Sequence, residues 1–266
     1  MTYYSQHGED IILGEMLKDY QVGFFVEVGC IDGKRFSNTL TFEEKGWKGI
    51  CVEAHAGYID LLKINRPNSV ICHHAAGEID EDTVFYANAR GSLSTLDKTK
   101  EKEWKKGYNE YFSGFEEQKV NKVRLSSLFD RLGITKIDLL SLDIEGYEIE
   151  ALKGLDLSRH RPAIMVIETD GLCHEAKLDF ILISSGYHKA MKFGGNIFYV
   201  TDIALSQHIA GKVLKGVITH TQHPLDGTGE HCIPVEIKVS ELGTNIIAAC
   251  VLFLCKFLIN IGLFRI

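Results

Sequence analysis

Proline is scarce in this 266-residue chain, with four in total, which leaves little room for long disordered linkers. No C-x-x-C pair occurs among the seven cysteines, at 30, 51, 72, 173, 232, 250 and 255. An odd, scattered set of thiols supports neither a disulfide framework nor a zinc site, and it fits a reducing compartment. The opening MTYYSQHGED lacks the basic and apolar regions of a secretory signal, and no N-x-S/T sequon follows, so a cytoplasmic location is expected. Positive charge is in the minority, 29 lysines and arginines against 36 acids, for a net charge of -7. Without a basic excess no nucleic-acid partner is expected. Neither G-x-G-x-x-G nor G-x-x-x-x-G-K-[ST] occurs, which argues against a dinucleotide loop and a P-loop.

Long hydrophobic runs are missing too. The most apolar segment, IIAACVLFLCKFLINIGLFRI (246–266), is interrupted by Lys256 and Asn260, whereas a membrane-spanning helix needs about 20 mostly apolar residues. A helix buried on the fold, a surface for homo-oligomerisation and an interfacial membrane contact all fit this tail.

What is present is an ordinary globular composition, 45% apolar and 24% charged, in a chain long enough to bury a sizeable core. FFVEV (24–28), GICVE (49–53), SVICHH (69–74), IDLLSLD (137–143) and AIMVIETD (163–170) read as strands, most too apolar to be half-exposed. Between them SNTLTFEEKG, GYIDLLKIN, SLFDRLG, YEIEALKGL and HEAKLDFILISSG carry apolar residues three and four apart, the spacing of helices, and several end at glycine. Such alternation predicts a doubly wound α/β domain, a mostly parallel sheet with helices on both faces. Residues 77–124 break the rhythm. There TVFYAN and KVNKVRL read as strands around a charged helix or lid, DKTKEKEWKKGYNEYF, whose lysines and glutamates suit a solvated face. After residue 201 the strand rhythm fades, and the three histidines of HTQHPLDGTGEHCIP have no trusted metal spacing. The expected division is a domain over 1–200 and an extension over 201–266.

In such sheets a ligand sits at the carboxyl ends of the strands where the winding switches direction, and the first strand usually borders that crevice. FFVEVGCIDGKRFSNT (24–39) occupies this place. The acids Glu27 and Asp32 oppose a polyphosphate and favour a ligand with positive charge and few or no phosphates. S-adenosylmethionine has that profile, with an ammonium, a sulfonium and a neutral ribose. Gly29 and Gly33 let the backbone pass close to its methionyl part, while Glu27 accepts from the ammonium directly or through water. Glu53 ends the second strand 24 residues after Gly29, near the spacing at which an acid meets ribose hydroxyls, and a ribose diol suits it as a bidentate partner. Ala75 and Ala76 in HHAAGE leave room for adenine, and His73 and His74 read as strand residues.

The second dense stretch is IDLLSLDIEGYEIEALKGL (137–155). Asp143 closes an apolar strand at the ligand edge, where a desolvated carboxylate serves as a general base, a metal ligand or an acceptor clamp. Glu148 and Glu150 open a helix and read first as dipole complements. Methyl transfer from a sulfonium needs in-line approach. Asp143 and Glu168, from neighbouring strand ends, are the candidates to assist it, as proton acceptors or as Mg²⁺ ligands; the sequence leaves that choice open.

In order along the chain, SQHGED, FFVEVGCIDGKRFSNT, GWKGICVEAH, HHAAGE, VRLSSLFDRLGITKIDLLSLDIEGYEIEALKGL and IMVIETD resemble the FkbM-type S-adenosylmethionine-dependent methyltransferases, over residues 5 to about 200. The S-Q-x-G-E-D, S-N-T and S-L-D-x-E-G variants look most like the branch that includes the Star-like proteins. The resemblance implies a Rossmann-like class I methyltransferase fold, S-adenosylmethionine as methyl donor and O-methylation of a hydroxyl on a sugar or other small metabolite. It places Glu27, Gly29, Asp32, Gly33, Asn38 and Glu53 around the donor and Asp143 beside the transferred methyl. Two departures stand out: Ala54 where many members have proline, and Ser141 where many have lysine. The competing readings are a binding or regulatory protein that keeps the donor pocket without turnover, and an NAD-dependent oxidoreductase, which the missing second glycine argues against.

Overall fold

The computed structural model describes residues 2–108, 112–204, 215–221 and 230–236. Its first half runs α1 (Glu9–Met16), β1 (Phe24–Val28), α2 (Leu40–Glu44), β2 (Lys48–Glu53), α3 (Ile59–Asn65), β3 (Ser69–His73), β4 (Ala75–Ala76) and β5 (Glu81–Ala87). Then follow α4 (Glu101–Gly107), β6 (Glu116–Val123), α5 (Leu125–Leu132), β7 (Leu139–Leu142), α6 (Glu148–Lys153), β8 (Ile164–Glu168), α7 (Leu172–Ser184), β9 (His188–Phe193), β10 (Asn196–Val200), β11 (Lys215–Thr221) and β12 (Glu230–Glu236).

Seven strands form one sheet in the order β3-β2-β1-β7-β8-β10-β9. From β3 to β8 all neighbours are parallel, and β10 is antiparallel to both β8 and β9. Alternation along each strand splits the core between the two faces. Val26, Val28, Leu140 and Leu142 pack on one side with Leu128 and Phe129 of α5 and Leu178 of α7. Phe25, Cys51 and Leu139 pack on the other with Ile12 and Leu13 of α1, Phe42 of α2 and Leu62 of α3. Each such fully buried aliphatic side chain contributes about 1.5–3 kcal/mol. This is the doubly wound, Rossmann-like α/β architecture expected from the sequence.

Three elements differ from that expectation. The strands of the 77–124 region pair with β4 in a separate sheet of order β4-β6-β5, and β6 starts at Glu116, ahead of KVNKVRL. Beyond β8 the chain adds an antiparallel hairpin, β9 and β10, joined through Gly194 and Gly195, a pair suited to a tight strand connection. After residue 201 strand structure resumes, because β11 and β12 pair antiparallel with each other. The apolar tail at 246–266 lies outside the described residues. Among the described residues no helix is long and apolar enough to cross a membrane.

The winding runs outward from β1 through β2 to β3 and returns to β7 on the other flank of β1, so the switch in direction falls between β1 and β7. Gly29 N donates to Val52 O at 2.9 Å and Asp143 N to Val28 O at 3.0 Å, which ties the ends of β2, β1 and β7 together at this point.

Candidate active site

A cavity of about 660 Å³ opens at these strand ends. Its floor is made by Gly29 after β1, Glu53 of β2, Ala75 and Ala76 of β4, Ser141 and Asp143 of and after β7, and Glu168 of β8. The walls come from Gln6, from the 30–38 loop, and from residues 90–96, with Phe85, Tyr108 and Tyr147. Among the described residues four non-glycines have positive φ: Ile31 (49°), Phe36 (61°), Leu93 (59°) and Glu145 (58°). All four line this cavity. Backbone held in so sparsely populated a region collects where a site must be shaped. Gly29 (φ 86°) is needed for a further reason, since a Cβ there would collide with the Asp143 carbonyl oxygen.

Glu53 is gripped by the backbone. Its Oε2 accepts from Cys30 N (2.9 Å) and Ile31 N (2.7 Å), and its Oε1 from His55 N (2.7 Å). Burial nevertheless pushes its pKa up to about 7. Three backbone donors take most of the roughly four acceptor positions of the carboxylate, which leaves too few for a bidentate grip on a diol. Beside it His55 Nδ1 accepts from Gly57 N, which puts the ring proton on Nε2, 3.1 Å from Asn88 O.

At the other end of the floor Asp143 and Glu168, together with Glu148, which does not line the cavity, each bring a carboxylate oxygen within 4.8 Å of the others. Burial raises the pKa of all three, to about 8 for Glu148 and well above the usual range for Glu168, which also faces the Asp143 charge. Asp143 and Glu168 lie close enough for each to bear on the other's ionisation. Glu148 Oε1 accepts from Ile144 N (2.9 Å) and Gly146 N (3.1 Å), fixing the turn before α6. Glu145, with a pKa near 7 through burial, accepts from Leu93 N at 3.0 Å.

The profile of the methyltransferase FkbM domain matches residues 27–182, more than half of the chain. The chain belongs to the FkbM methyltransferase family. It is therefore a methyltransferase, and its family implies S-adenosylmethionine as methyl donor. No curated protein matches it. Among solved structures it is similar to a ribosomal protein L11 methylase from Lactobacillus delbrueckii subsp. bulgaricus, at 9% identity and TM-score 0.40 over 73% of this chain and 77% of that one. It is also similar to a TehB-like SAM-dependent methyltransferase from Corynebacterium glutamicum, at 13% identity and TM-score 0.37 over 74% and 86% of the two chains. A third is a precorrin-6y C5,15-methyltransferase from Geobacter metallireducens, at 10% identity and TM-score 0.41 over 72% and 85%. These likenesses are too remote to bear on the substrate.

In this FkbM methyltransferase Glu27, Gly29, Asn38, Glu53, Ala75, Asp143 and Glu168 all border one cavity. Asp32 and Gly33 do not. Asp32 Oδ1 accepts from Lys34 N (2.9 Å) and Arg35 N (2.8 Å), turning the loop, and Gly33 lets Leu62 and Arg66 pack against its backbone. Glu27 borders the cavity, but its charge is spent internally. Both oxygens are satisfied by Asn38 N (2.9 Å), Ser37 Oγ (2.9 Å), Thr39 Oγ1 (2.9 Å) and Arg66 Nη1 (2.7 Å). Glu27 was expected to accept from a ligand ammonium directly or through water; in the structure both its oxygens already have protein partners. Arg66, 1% exposed, bridges Glu27 and Glu43, and despite the desolvation that works against its charge these acids hold it protonated. An arginine at the end of an exposed helix gives no sequence signal of such a role. Ser141, the departure from lysine, accepts from Asn38 Nδ2 at 3.0 Å and so locks the loop after β1 to β7. Glu148, read from the sequence as a dipole complement, is fully buried within the acidic group, while His74, read as a strand residue, reaches the cavity wall.

Proposed function

We propose that this methyltransferase moves the methyl group of S-adenosylmethionine to a hydroxyl oxygen of a small acceptor, a sugar or other small metabolite. The observation that carries the reading is the placement of Glu53 and the Asp143–Glu168 pair at opposite ends of one cavity floor, with Gly29 between them. In this reading Glu53 accepts a hydrogen bond from a ribose hydroxyl, Ala75 and Ala76 leave space for adenine, and Gly29 with Asn38 contacts the methionyl part. The acceptor hydroxyl donates to the Asp143–Glu168 pair, which in its singly ionised form takes the proton as the oxygen attacks the methyl carbon in line. The carbon–sulfur bond breaks and the sulfur leaves as a neutral thioether. A carboxylate whose pKa is raised by burial suits this role, because it is a stronger base than an exposed one.

Calorimetry with S-adenosylhomocysteine and with NAD tests the donor, and binding of NAD alone would overturn the reading. A screen of hydroxylated acceptors with labelled methyl donor, followed by mass analysis, tests the acceptor class. Product methylated on nitrogen or carbon instead of oxygen would refute O-methylation. Asp143→Ala should abolish turnover while leaving the fold intact; full activity in that variant would remove the pair from the chemistry.

A further inference from the structure

We infer that Asp143, Glu148 and Glu168 form a site for a divalent cation of the hard, oxygen-preferring class at the acceptor end of the cavity. The three carboxylates come from the end of β7, the first residue of α6 and the end of β8, and an oxygen of each lies within 4.8 Å of the other two. Side chains anchored on three packed elements form a convergent set, and an octahedral ion needs such a set.

A second observation comes from the atoms left without partners. Glu148 is fully buried, one of its oxygens is held by two backbone N–H groups, and its Oε2 has no hydrogen-bond partner. His174 Nε2, also buried and without a hydrogen bond, stands 3.4 Å from that oxygen. His174 Nδ1 accepts from Asp170 N at 3.0 Å, so the neutral ring carries its proton on Nε2, and that proton makes no hydrogen bond to Glu148. A nitrogen that carries its proton is not a metal ligand, so the donor set is the three carboxylates alone. A buried carboxylate oxygen without a hydrogen bond, on a residue grouped with two further carboxylates, is costly unless a cation completes it. Lys100, the nearby cation, is engaged by Asp170. The other acid and thiol group, Glu27 with Cys30 and Cys51, offers no such opening, because Arg66 already neutralises Glu27.

An all-oxygen donor set favours Mg²⁺ or Mn²⁺ over zinc or copper. Resting on the proposed O-methylation, the role of the ion is to bind the acceptor's hydroxyl oxygen and ease loss of its proton beside Asp143.

The test titrates Mn²⁺ into the full-length protein, after chelator treatment and buffer exchange, by electron paramagnetic resonance and calorimetry. One Mn²⁺ per chain, displaced by Mg²⁺, is expected, with affinity at least tenfold weaker in Glu148→Gln and in Glu168→Gln. Circular dichroism checks that each variant is folded, and the second variant keeps the test decisive if the first is not. Absence of Mn²⁺ binding, or unchanged affinity in a folded glutamine variant, overturns the inference. S-adenosylhomocysteine titrated into the same samples separates the two readings: donor product bound without Mn²⁺ sinks only the cation site, and Mn²⁺ bound without donor product sinks only the methyl transfer.

Discussion

A carboxylate buried without a cation holds on to its proton, and Glu53 does so at the end of β2, on the cavity floor. Its pKa is raised by burial from 4.5 to about 7. The stability this proton contributes is fully present below pH 4.5 and is lost as pH rises through 7, a change of about 3 kcal/mol. Donor binding has the opposite sense, because the ionised carboxylate is the stronger acceptor of a ribose hydroxyl. Affinity for S-adenosylhomocysteine should be up to about tenfold weaker near pH 6 than near pH 8. A flat calorimetric profile would remove Glu53 from donor recognition. Arg66 works by a different balance, since it neutralises two buried acids at once. Arg66→Met should cost about 3–5 kcal/mol in urea unfolding, because it strands Glu27 and Glu43. An unchanged midpoint would show that those acids do not depend on it.

Loops are shaped by the elements they lean on, and residues 90–96 lean on the turn before α6. Leu93 N and Thr95 Oγ1 both donate to Glu145, one to its side chain and one to its carbonyl. Glu145→Ala removes the first contact, so amide exchange should quicken at residues 92–96 while β1 and β7 keep their protection. Equal exchange in both proteins would mean that the wall stands without Glu145. The strands and helices of the parallel core were legible in the sequence because their apolar spacing is undisturbed by function. Helix α1 was not, since it buries Glu9 and Asp10 beside its apolar residues, which blurs the amphipathic pattern. The charged run at 98–107 proved mostly a solvated face, as its composition suggested, yet Trp104 is buried beneath it and stacks edge-on with Phe112 and Phe115.

At the scale of the whole molecule, every residue lining the cavity lies between Gln6 and Glu168, and the seven-stranded sheet closes with β10 at Val200. A chain ending at residue 204 should therefore fold and bind S-adenosylhomocysteine within about twofold of the full chain. Loss of the fold on truncation would show that the extension belongs to the core. The positions of the strand ends were readable from the sequence, and with them Gly29, Glu53, Asp143 and Glu168. The partners were not, because Arg66, Ser141 and His174 meet the site only through tertiary packing that no local spacing encodes. The contact of Gly29 with the Asp143 carbonyl has a mechanical meaning as well. With no clearance between the two strand ends, the loop after β1 and Asp143 behave like two jaws cut from one block, spaced by backbone rather than by rotamers. Their separation cannot drift by small substitutions, so a lineage exploring new acceptors would have to remodel the walls and leave the floor alone.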